Sequence, residues 1–331
     1  MNLPRSIKYA VRSVASWHMQ GDRKNVLLKA TARGGSTWVM EIIASQPGFR
    51  YYDEPFNIRR DNVRRTGLFR GWSELQPEHC DIDRVTDYLD ALRDNRYRHM
   101  NPAPFRRHYR PITHRIVFKL HELEHAIGQI AARCDCRVLY LVRHPIPNSL
   151  SRAVVPRLEL FLASDYYRDK YLGETRMQEI REVAEKGSRL QRFVVSWCFE
   201  NYLPLRHAAE QGWATLSYEE LLLNPARSCR YLADALDLPD MRRLLRSVGE
   251  PSSNITLSGQ ETLQIMRDPD QDARRRRLVT RWRDKVGREE EKSAMEVLQL
   301  FDIQAYRFDR LVPDADLLHF EDTVSRLEVD E

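Results

Sequence analysis

The chain has 331 residues, of which 31% are charged and 42% hydrophobic, and its formal net charge at pH 7 is +5. This composition is typical of a folded globular protein, either one large α/β domain or two small ones, and it excludes a collagen-like, disulfide-dense or wholly disordered chain. Because 53 basic residues are nearly matched by 48 acidic ones, the charge favours a small anionic ligand over nucleic acid as a partner.

The sequence lacks signals for a membrane span, for secretion and for a metal site. No stretch approaches ~18 uninterrupted apolar residues, so no transmembrane segment is predicted. The first twenty residues carry Arg5, Lys8 and Arg12 between short apolar runs, which do not form the apolar core of a secretory signal. The five cysteines are odd in number and form no C-x-x-C pair, which predicts neither a disulfide framework nor a zinc site. We therefore expect a cytoplasmic protein without a bound metal.

The first elements predicted along the chain are a strand, a glycine turn and a helix. Residues 25–30 form an apolar strand, 31–36 contain two glycines, and 37–44 have the pattern of a helix. A second strand at 49–52 ends at Asp53-Glu54-Pro55, where the proline forces Glu54 out of helical geometry.

Two further apolar strands are predicted at 115–120 and 137–142, joined by a helix from about 121 to 133. Near-continuous apolar strands that alternate with helices are typical of a parallel sheet covered on both faces. We therefore predict an α/β fold, a single domain with a central parallel sheet flanked by helices.

The remaining segments complete this domain and contain two insertions. The predicted parts are an N-terminal segment at 1–24, the domain at 25–310 and a C-terminal tail at 311–331, and the insertions lie at about 57–114 and 154–187. Further helices are predicted at about 83–95, 188–211, 225–238 and 289–301, and a further strand at 213–217. A basic run occupies 274–277. Insertions on a sheet of this kind commonly carry substrate specificity, so both are predicted to form the acceptor site.

The glycine turn has the composition of an anion cradle. A strand that leads through Gly34 and Gly35 to Ser36 and Thr37 at a helix start places backbone amides, hydroxyls and the positive helix end around one anion. The nucleotide P-loop pattern G-x-x-x-x-G-K-[ST] needs Lys where Gly35 stands, and the nearest cation is Arg33. A tight turn without a ligand remains an alternative at this point.

Two motifs in this chain resemble those of the sulfotransferases that use 3′-phosphoadenosine 5′-phosphosulfate (PAPS). The segment Thr31-Ala-Arg-Gly-Gly-Ser-Thr-Trp38 is similar to the family's first signature, and Tyr140-Leu-Val-Arg-His-Pro-Ile-Pro-Asn-Ser-Leu-Ser-Arg152 is similar to the second, with Arg143 and Ser151 eight residues apart. The segments at 218–225 and 281–283 also resemble the family, and the resemblance runs from about residue 25 to 308. It implies a P-loop NTPase-like sulfotransferase fold.

The resemblance also implies how the donor is bound. Arg33, Gly34, Gly35, Ser36 and Thr37 would hold the 5′-phosphosulfate, and two residues of the second motif would hold the 3′-phosphate. These and the remaining candidate donor-binding residues are Arg143 and Ser151 for the 3′-phosphate, Trp38 against the adenine, Tyr218 at the base or the wall of the site, and Arg275, Arg276 and Arg277 as a cap on the 3′-phosphate. As alternatives, Trp38 and Tyr218 would be core residues, and Arg275–Arg277 would be a solvated basic run.

Sulfuryl transfer needs hydrogen-bond donors on the leaving oxygen and a base at the acceptor. Arg33, with Lys119 as a second candidate, would stabilise the leaving oxygen. Two residues compete for the role of base: Glu54 resembles the Glu-Pro segment of the carbohydrate and bacterial branch, and His121 resembles the Lys-x-His of the cytosolic small-molecule branch. Glu54 is favoured because a longer local stretch supports it, which places the chain closer to the carbohydrate branch.

The predicted function is transfer of a sulfuryl group from PAPS to a hydroxyl or amine, which leaves 3′-phosphoadenosine 5′-phosphate (PAP). The acceptor stays open between a glycan, a lipid-linked glycan and a small phenolic metabolite, and a homo-oligomer is compatible with the sequence. A phosphotransferase that uses ATP and a non-catalytic nucleotide-binding protein on the same fold are the two alternatives.

Overall fold

The computed structural model of the chain describes residues 5–104, 106–253, 265 and 270–314. Its strands in these ranges are β1 (Trp17–His18), β2 (Asn25–Ala30), β3 (Phe49–Asp53), β4 (Ile112–Thr113), β5 (Arg115–Leu120), β6 (Cys136–Val142) and β7 (Ala214–Ser217). Its helices there are α1 (Arg5–Ala15), α2 (Ser36–Ala44), α3 (Asp61–Arg64), α4 (Ile82–Arg93), α5 (Ile127–Arg133), α6 (Pro145–Leu150), α7 (Leu158–Leu162), α8 (Asp165–Tyr167), α9 (Glu174–Lys186), α10 (Arg189–Glu210), α11 (Tyr218–Leu223), α12 (Pro225–Leu236), α13 (Met241–Val248), α14 (Gln271–Thr280) and α15 (Arg288–Glu296). Short 3₁₀ turns occupy Trp72–Leu75, Arg98–Met100, Arg281–Asp284 and Val297–Phe301, and a π turn occupies Arg168–Leu172.

The chain divides into two compact units that alternate along the sequence. The first consists of Met1–Lys29, Ser36–Leu139 and Leu232–Asn254, and the second of Ala30–Gly35, Tyr140–Tyr231 and Ile255–Glu331. The strand order of the larger sheet is β3-β5-β2-β6-β7. The prediction of an α/β domain with a central parallel sheet flanked by helices is confirmed.

The first unit is built around β5. Strands β2 and β3 both pair with β5 in parallel, and Lys119 of β5 stands in register with Leu28 on one side and Asp53 on the other. Every residue of β2 and of β5 is buried, as expected of parallel strands covered on both faces. Helix α2 packs on β3 and β5, and α13 packs on α2. A separate two-stranded sheet joins β1 to β4, with Trp17 opposite Ile112.

The second unit is built around the long helix α10. A capping box begins this helix: Ser188 Oγ accepts from the Gln191 amide at 3.2 Å, and Gln191 Oε1 accepts from the Ser188 amide at 2.9 Å. Helices α6, α7, α9 and α15 pack around α10. Its buried face also carries Glu200, which accepts two hydrogen bonds from Arg152 at 2.7 and 3.0 Å. This pairing neutralises the two buried charges.

The helix predicted at 121–133 is shorter than expected and begins at Ile127. The buried Lys29 ammonium donates to the carbonyl oxygens of His121 at 2.8 Å and Glu122 at 3.3 Å, and Leu123 adopts φ +64°. These carbonyl oxygens therefore accept hydrogen bonds from a lysine of the neighbouring strand and not from the amides of a helix.

Other boundaries differ by smaller amounts. The last predicted helix, 289–301, is α15 followed by a 3₁₀ turn from Val297. The N-terminal segment 1–24 contains α1 and β1, and α13 was not predicted. Most of the predicted tail, 315–331, lies outside the described residues. In the described ranges no helix is both long and apolar enough to cross a bilayer.

Candidate active site

The glycine loop connects β2 to α2 through a strained backbone. Arg33 has φ +65° and Gly35 has φ +87°, both in the left-handed region. A Cβ atom on Gly35 would lie 2.7 Å from Cε2 of Tyr218, and one on Gly34 would lie 3.0 Å from the Thr31 carbonyl oxygen. The loop therefore requires glycine at 35 for both its dihedral angle and its close approach to an aromatic ring. An arginine at positive φ is uncommon and is typical of strain held at a functional site.

Within the second unit, the loop is tied to the segment that follows β6. The Arg143 guanidinium donates to the Arg33 carbonyl at 2.9 Å and lies 4.4 Å over the Tyr218 ring. Arg33 Nε donates to the Ser151 carbonyl at 3.0 Å. Four predicted donor-binding residues are thus brought together: Arg33, Arg143, Ser151 and Tyr218.

One buried N–H of Arg143 is unsatisfied at this place. Its Nε is inaccessible to solvent and has no hydrogen-bond partner among the described residues. A buried N–H without an acceptor costs about 1–3 kcal/mol, so an acceptor atom of a ligand bound at this place would be stabilising. Sequence reasoning did not single out Asn148, whose Nδ2 donates to Thr31 Oγ1 at 3.1 Å and Ala32 O at 3.2 Å and so fixes the start of the loop.

A cluster of two cations and two carboxylates occupies the first unit where β3 and β5 end. Lys119 is fully buried, and its Nζ contacts Thr37 Oγ1 and Glu54 Oε1, each at 3.0 Å, and also pairs with Asp53. Arg60 Nη2 lies 2.8 Å from Asp53 Oδ2 and 3.1 Å from Glu54 Oε2. The register that places Asp53 beside Lys119 brings these charges together.

His121 connects the same carboxylate to the start of α2. Its Nε2 is 3.0 Å from Ser36 Oγ, and its Nδ1 is 3.6 Å from Glu54 Oε1. Glu54 itself adopts φ +54° immediately after β3, a second non-glycine residue of the site in the left-handed region. Both candidate bases, Glu54 and His121, therefore lie in one cluster with Lys119.

The surroundings give the two candidate bases different charge states near pH 7. Burial raises the pKa of Glu54, but His121, Lys119 and Arg60 outweigh it and hold that pKa well below its usual range. Burial lowers the pKa of His121 to about 4, although Glu54 opposes the shift. Near pH 7 Glu54 is therefore an anion and His121 a neutral imidazole, which can accept a proton.

The other predicted donor-binding residues lie elsewhere in the two units. Trp38 is 8% exposed, and its indole N–H donates to the Glu250 carbonyl at 3.1 Å in the first unit. In the second unit α14 packs against α11, and the basic run lies on α14. Arg275 pairs with Asp272 at 3.2 Å, Arg277 pairs with Asp284 at 2.7 Å, and Arg276 is exposed. Their roles toward a nucleotide stay predictions.

The first unit contains a cavity of about 280 Å³. Its lining residues are Arg12, Thr37, Met40, Glu41, Tyr51, Tyr52, Asp53, Arg60, Asn62, Met100, Asn101, Pro102, Ala103, Arg106 and Ser253. Of the two adjacent acids before Pro55, it is Asp53 that lines the cavity. Sequence reasoning named neither Asp53 nor Arg60 as a site residue, although Asp53 directly precedes Glu54 in the Asp-Glu-Pro segment.

In the described ranges no three His, Cys, Asp or Glu side chains are grouped to share a metal ion. The five cysteines are free thiols, and four of them are buried. Burial raises the pKa of Cys134 and of Cys229 to about 12, which keeps these thiols protonated and unreactive.

Comparison with known proteins gives the family. A family model for the sulfotransferase domain matches residues 23–307. Mouse sulfotransferase SULT7A1 complexed with PAP is 13% identical, with 89% of each chain covered and a TM-score of 0.40. The sulfotransferase domain of the Synechococcus PCC 7002 olefin synthase is 17% identical, covering 88% of this chain and 99% of that one, with a TM-score of 0.42. A sulfotransferase domain of the curacin biosynthetic pathway is 14% identical, covering 94% and 99%, with a TM-score of 0.36.

No curated protein matches the sequence significantly. At TM-scores below 0.5 the likenesses to solved structures add nothing to the assignment, which rests on the match of the domain over most of the chain. The chain belongs to the sulfotransferase family.

Proposed function

We propose that the protein transfers a sulfuryl group from PAPS to an acceptor hydroxyl. One observation carries the proposal: the two hydroxyls that follow the glycines, Ser36 and Thr37, are held by His121 and Lys119, and both of these also lie beside Glu54. A loop with the composition of an anion-binding site therefore lies next to a cation, Lys119, and to two groups that can accept a proton, Glu54 and His121. Sulfuryl transfer needs these three components.

The donor is proposed to bind through the residues of the two motifs. Arg33, Gly34, Gly35, Ser36 and Thr37 would hold the phosphosulfate, and Arg143 with Ser151 would hold the 3′-phosphate. The buried Nε of Arg143, which finds no acceptor among the described residues, supports an anionic ligand there. Trp38 and Tyr218 as contacts of the base, and Arg275, Arg276 and Arg277 as a cap, remain part of the proposal.

Lys119 is proposed to stabilise the oxygen that leaves with the donor phosphate, together with Arg33. The Lys119 ammonium is shared between Asp53, Glu54 and the Thr37 hydroxyl. An anionic sulfuryl group competes with these carboxylates for the same ammonium. As Lys119 turns toward the donor, Glu54 loses part of the charge that lowers its pKa and becomes a better base.

Glu54 is proposed as the base, with His121 as the alternative. Glu54 Oε2 is positioned by Asn57 Nδ2 at 2.6 Å and by Arg60 at 3.1 Å, and its side chain is 13% exposed. The His121 side chain is 11% exposed, and its Nε2 already has a partner in Ser36. Exposure therefore does not separate the two, and the preference for Glu54 rests on Lys119, whose movement toward the donor would free Glu54 Oε1 to accept a proton.

The acceptor site is proposed to include the first insertion, because seven residues of the 57–114 segment line the cavity beside Thr37 and Asp53. Helices α7, α8 and α9 of the second insertion lie in the second unit, and their part in binding stays a prediction. Membership of the carbohydrate branch, an amine as an alternative acceptor group, a cytoplasmic location and a homo-oligomer also belong to this proposal.

A thermal-shift comparison tests the donor. PAP, adenosine 5′-phosphate and ATP with Mg²⁺ are each added to the full chain, and PAP at 100 times its Kd should stabilise the folded state by about 2.7 kcal/mol, a shift of several degrees. A selective shift with PAP, followed by transfer of labelled sulfate from PAPS, is the expected result. A shift with ATP and Mg²⁺ but not with PAP would contradict the donor assignment.

A further inference from the structure

The cavity of the first unit is small and mostly polar. Its volume, about 280 Å³, is just below the ~300–1,000 Å³ typical of small-molecule pockets. The apolar part of its lining consists of Met40, Met100, Pro102 and Ala103, whereas charged and hydrogen-bonding side chains form the rest. An apolar acceptor would desolvate these groups without replacing their hydrogen bonds, so the lining favours a compact acceptor with several hydroxyls.

One wall of the cavity is held rigid by a buried network. Asn101 Oδ1 accepts from Tyr52 Oη at 2.7 Å and from Arg50 Nη1 at 3.1 Å, and Arg50 also donates to Asn95 Oδ1 at 2.6 Å. Tyr52 and Asn101 line the cavity from this network. Because these hydrogen bonds hold their side chains in place, Tyr52 and Asn101 present fixed hydrogen-bonding positions to a ligand.

The acidic side chains of the cavity already have partners. Glu41 accepts from the Ser253 amide at 3.1 Å, and Arg107 lies 3.8 Å from the same carboxylate. Asp53 is paired with Lys119 and Arg60. Neither carboxylate is therefore available to neutralise a further cation of the cavity.

Arg106 is the cation that remains available. It is exposed at the cavity, and within the described part of the chain its guanidinium makes no hydrogen bond or ion pair. Arg106 also affects the neighbouring Tyr51. Burial and Glu41 raise the pKa of the Tyr51 hydroxyl, and the positive charge of Arg106 lowers it. Arg12 also lines the cavity and adds a second positive charge.

We propose that this cavity binds the acceptor, and that the acceptor is a small polyhydroxylated anion, a sugar acid or a sugar phosphate, whose anionic group is bound by Arg106. The inference rests on the proposed function. In the reaction, the acceptor hydroxyl oxygen forms a bond to sulfur, the bond from sulfur to the phosphate oxygen of PAPS breaks, and the hydroxyl proton passes to the base. The products are the sulfate ester and PAP.

The test compares acceptors in matched pairs at saturating PAPS: glucose with glucuronate, glucose with glucose 6-phosphate, and 2-naphthol as an apolar phenol. The wild-type protein should prefer the anionic member of a pair, and the two anions distinguish a carboxylate from a phosphate. In Arg106→Ala the KM for the anion should rise about tenfold, as expected for loss of one charge-assisted hydrogen bond, with a smaller change in kcat. Arg106→Lys should recover part of the loss.

Arg96→Ala is the matched control, because this arginine is also exposed and its contact to Asp94, at 3.8 Å, lies outside the cavity. A preference for the neutral sugar or for 2-naphthol, or an equal response of Arg106→Ala and Arg96→Ala, would overturn the proposal. So would turnover of none of these acceptors by a protein that PAP still stabilises. Failure of PAP to bind would instead contradict the proposed function, which separates the two conclusions.

Discussion

Replacement of Gly35 by alanine tests the loop geometry most directly. Gly35 has φ +87°, a conformation that costs an L-residue about 1–2 kcal/mol. The new Cβ would also lie 2.7 Å from Cε2 of Tyr218, so the ring must move, and such overpacking costs about 1–3 kcal/mol more. We expect Gly35→Ala to lower the free energy of unfolding by about 2–5 kcal/mol.

A matched glycine separates the two contributions. Gly212 has φ +61°, and a Cβ added to it would meet no atom within 4 Å, so Gly212→Ala should cost only the backbone strain of about 1–2 kcal/mol. Urea unfolding of both variants measures the difference. In the double variant Gly35→Ala, Tyr218→Ala the clash is absent, and a coupling energy of about 1–3 kcal/mol should be recovered.

Donor binding should follow the same pattern, because the Tyr218 ring lies under the Arg143 guanidinium. We expect calorimetry to show at least a tenfold loss of PAP affinity in Gly35→Ala and a much smaller loss in Gly212→Ala. Equal destabilisation by the two alanines, or a coupling energy near zero, would show that the approach of Tyr218 to the loop is not as described.

Three further changes test the charged groups. Arg143→Ala should weaken the binding of PAP by about 10- to 100-fold and the binding of adenosine 5′-phosphate far less. Titration calorimetry measures both losses, and equal losses would contradict a contact to the 3′-phosphate. Glu54→Gln should lower kcat by about 10²–10⁴ with little change in PAP affinity, whereas a normal kcat in this variant and a low one in His121→Gln would assign the base to His121. Burial raises the pKa of Glu219 from 4.5 to about 7, so the folded state keeps a proton that the unfolded chain has lost, and stability should fall as the pH rises from 4.5 to 7. Urea titrations across this range should show a flatter profile for Glu219→Gln, and an unchanged slope would refute the shift.

The strands and the glycine loop could be predicted from the sequence because both depend on residues that are close together in the chain. Strand β2 has a continuous apolar core, and the loop contains two glycines directly before a helix, so local sequence suffices. The spacing of Arg143 and Ser151 was equally local, and the structure brings Arg143 and Ser151 to Arg33.

The pairing of Lys119 with Asp53 depends on the register between two strands, so local sequence could not predict it. These residues meet because β3 lies beside β5 with Asp53 opposite Lys119, and a shift of one residue would turn Asp53 to the other face. The misplaced start of α5 has a similar cause, since Lys29 of another strand takes the carbonyls of His121 and Glu122. The cavity combines side chains from Arg12 to Ser253, a grouping that only the folded chain defines.

The three-part composition of the first unit bears on how the chain folds during synthesis. Its last part, Leu232–Asn254, accepts hydrogen bonds at Asp237 from Arg115, at 2.7 Å, and at Glu250 from Trp38, at 3.1 Å. A ribosome that adds about 5–20 residues per second reaches this part several seconds to tens of seconds after Lys119 and His121 have been made. During that interval Arg115 and Trp38 lack these carbonyl partners, so the first unit completes its contacts only after residues 140–231 of the second unit have been made.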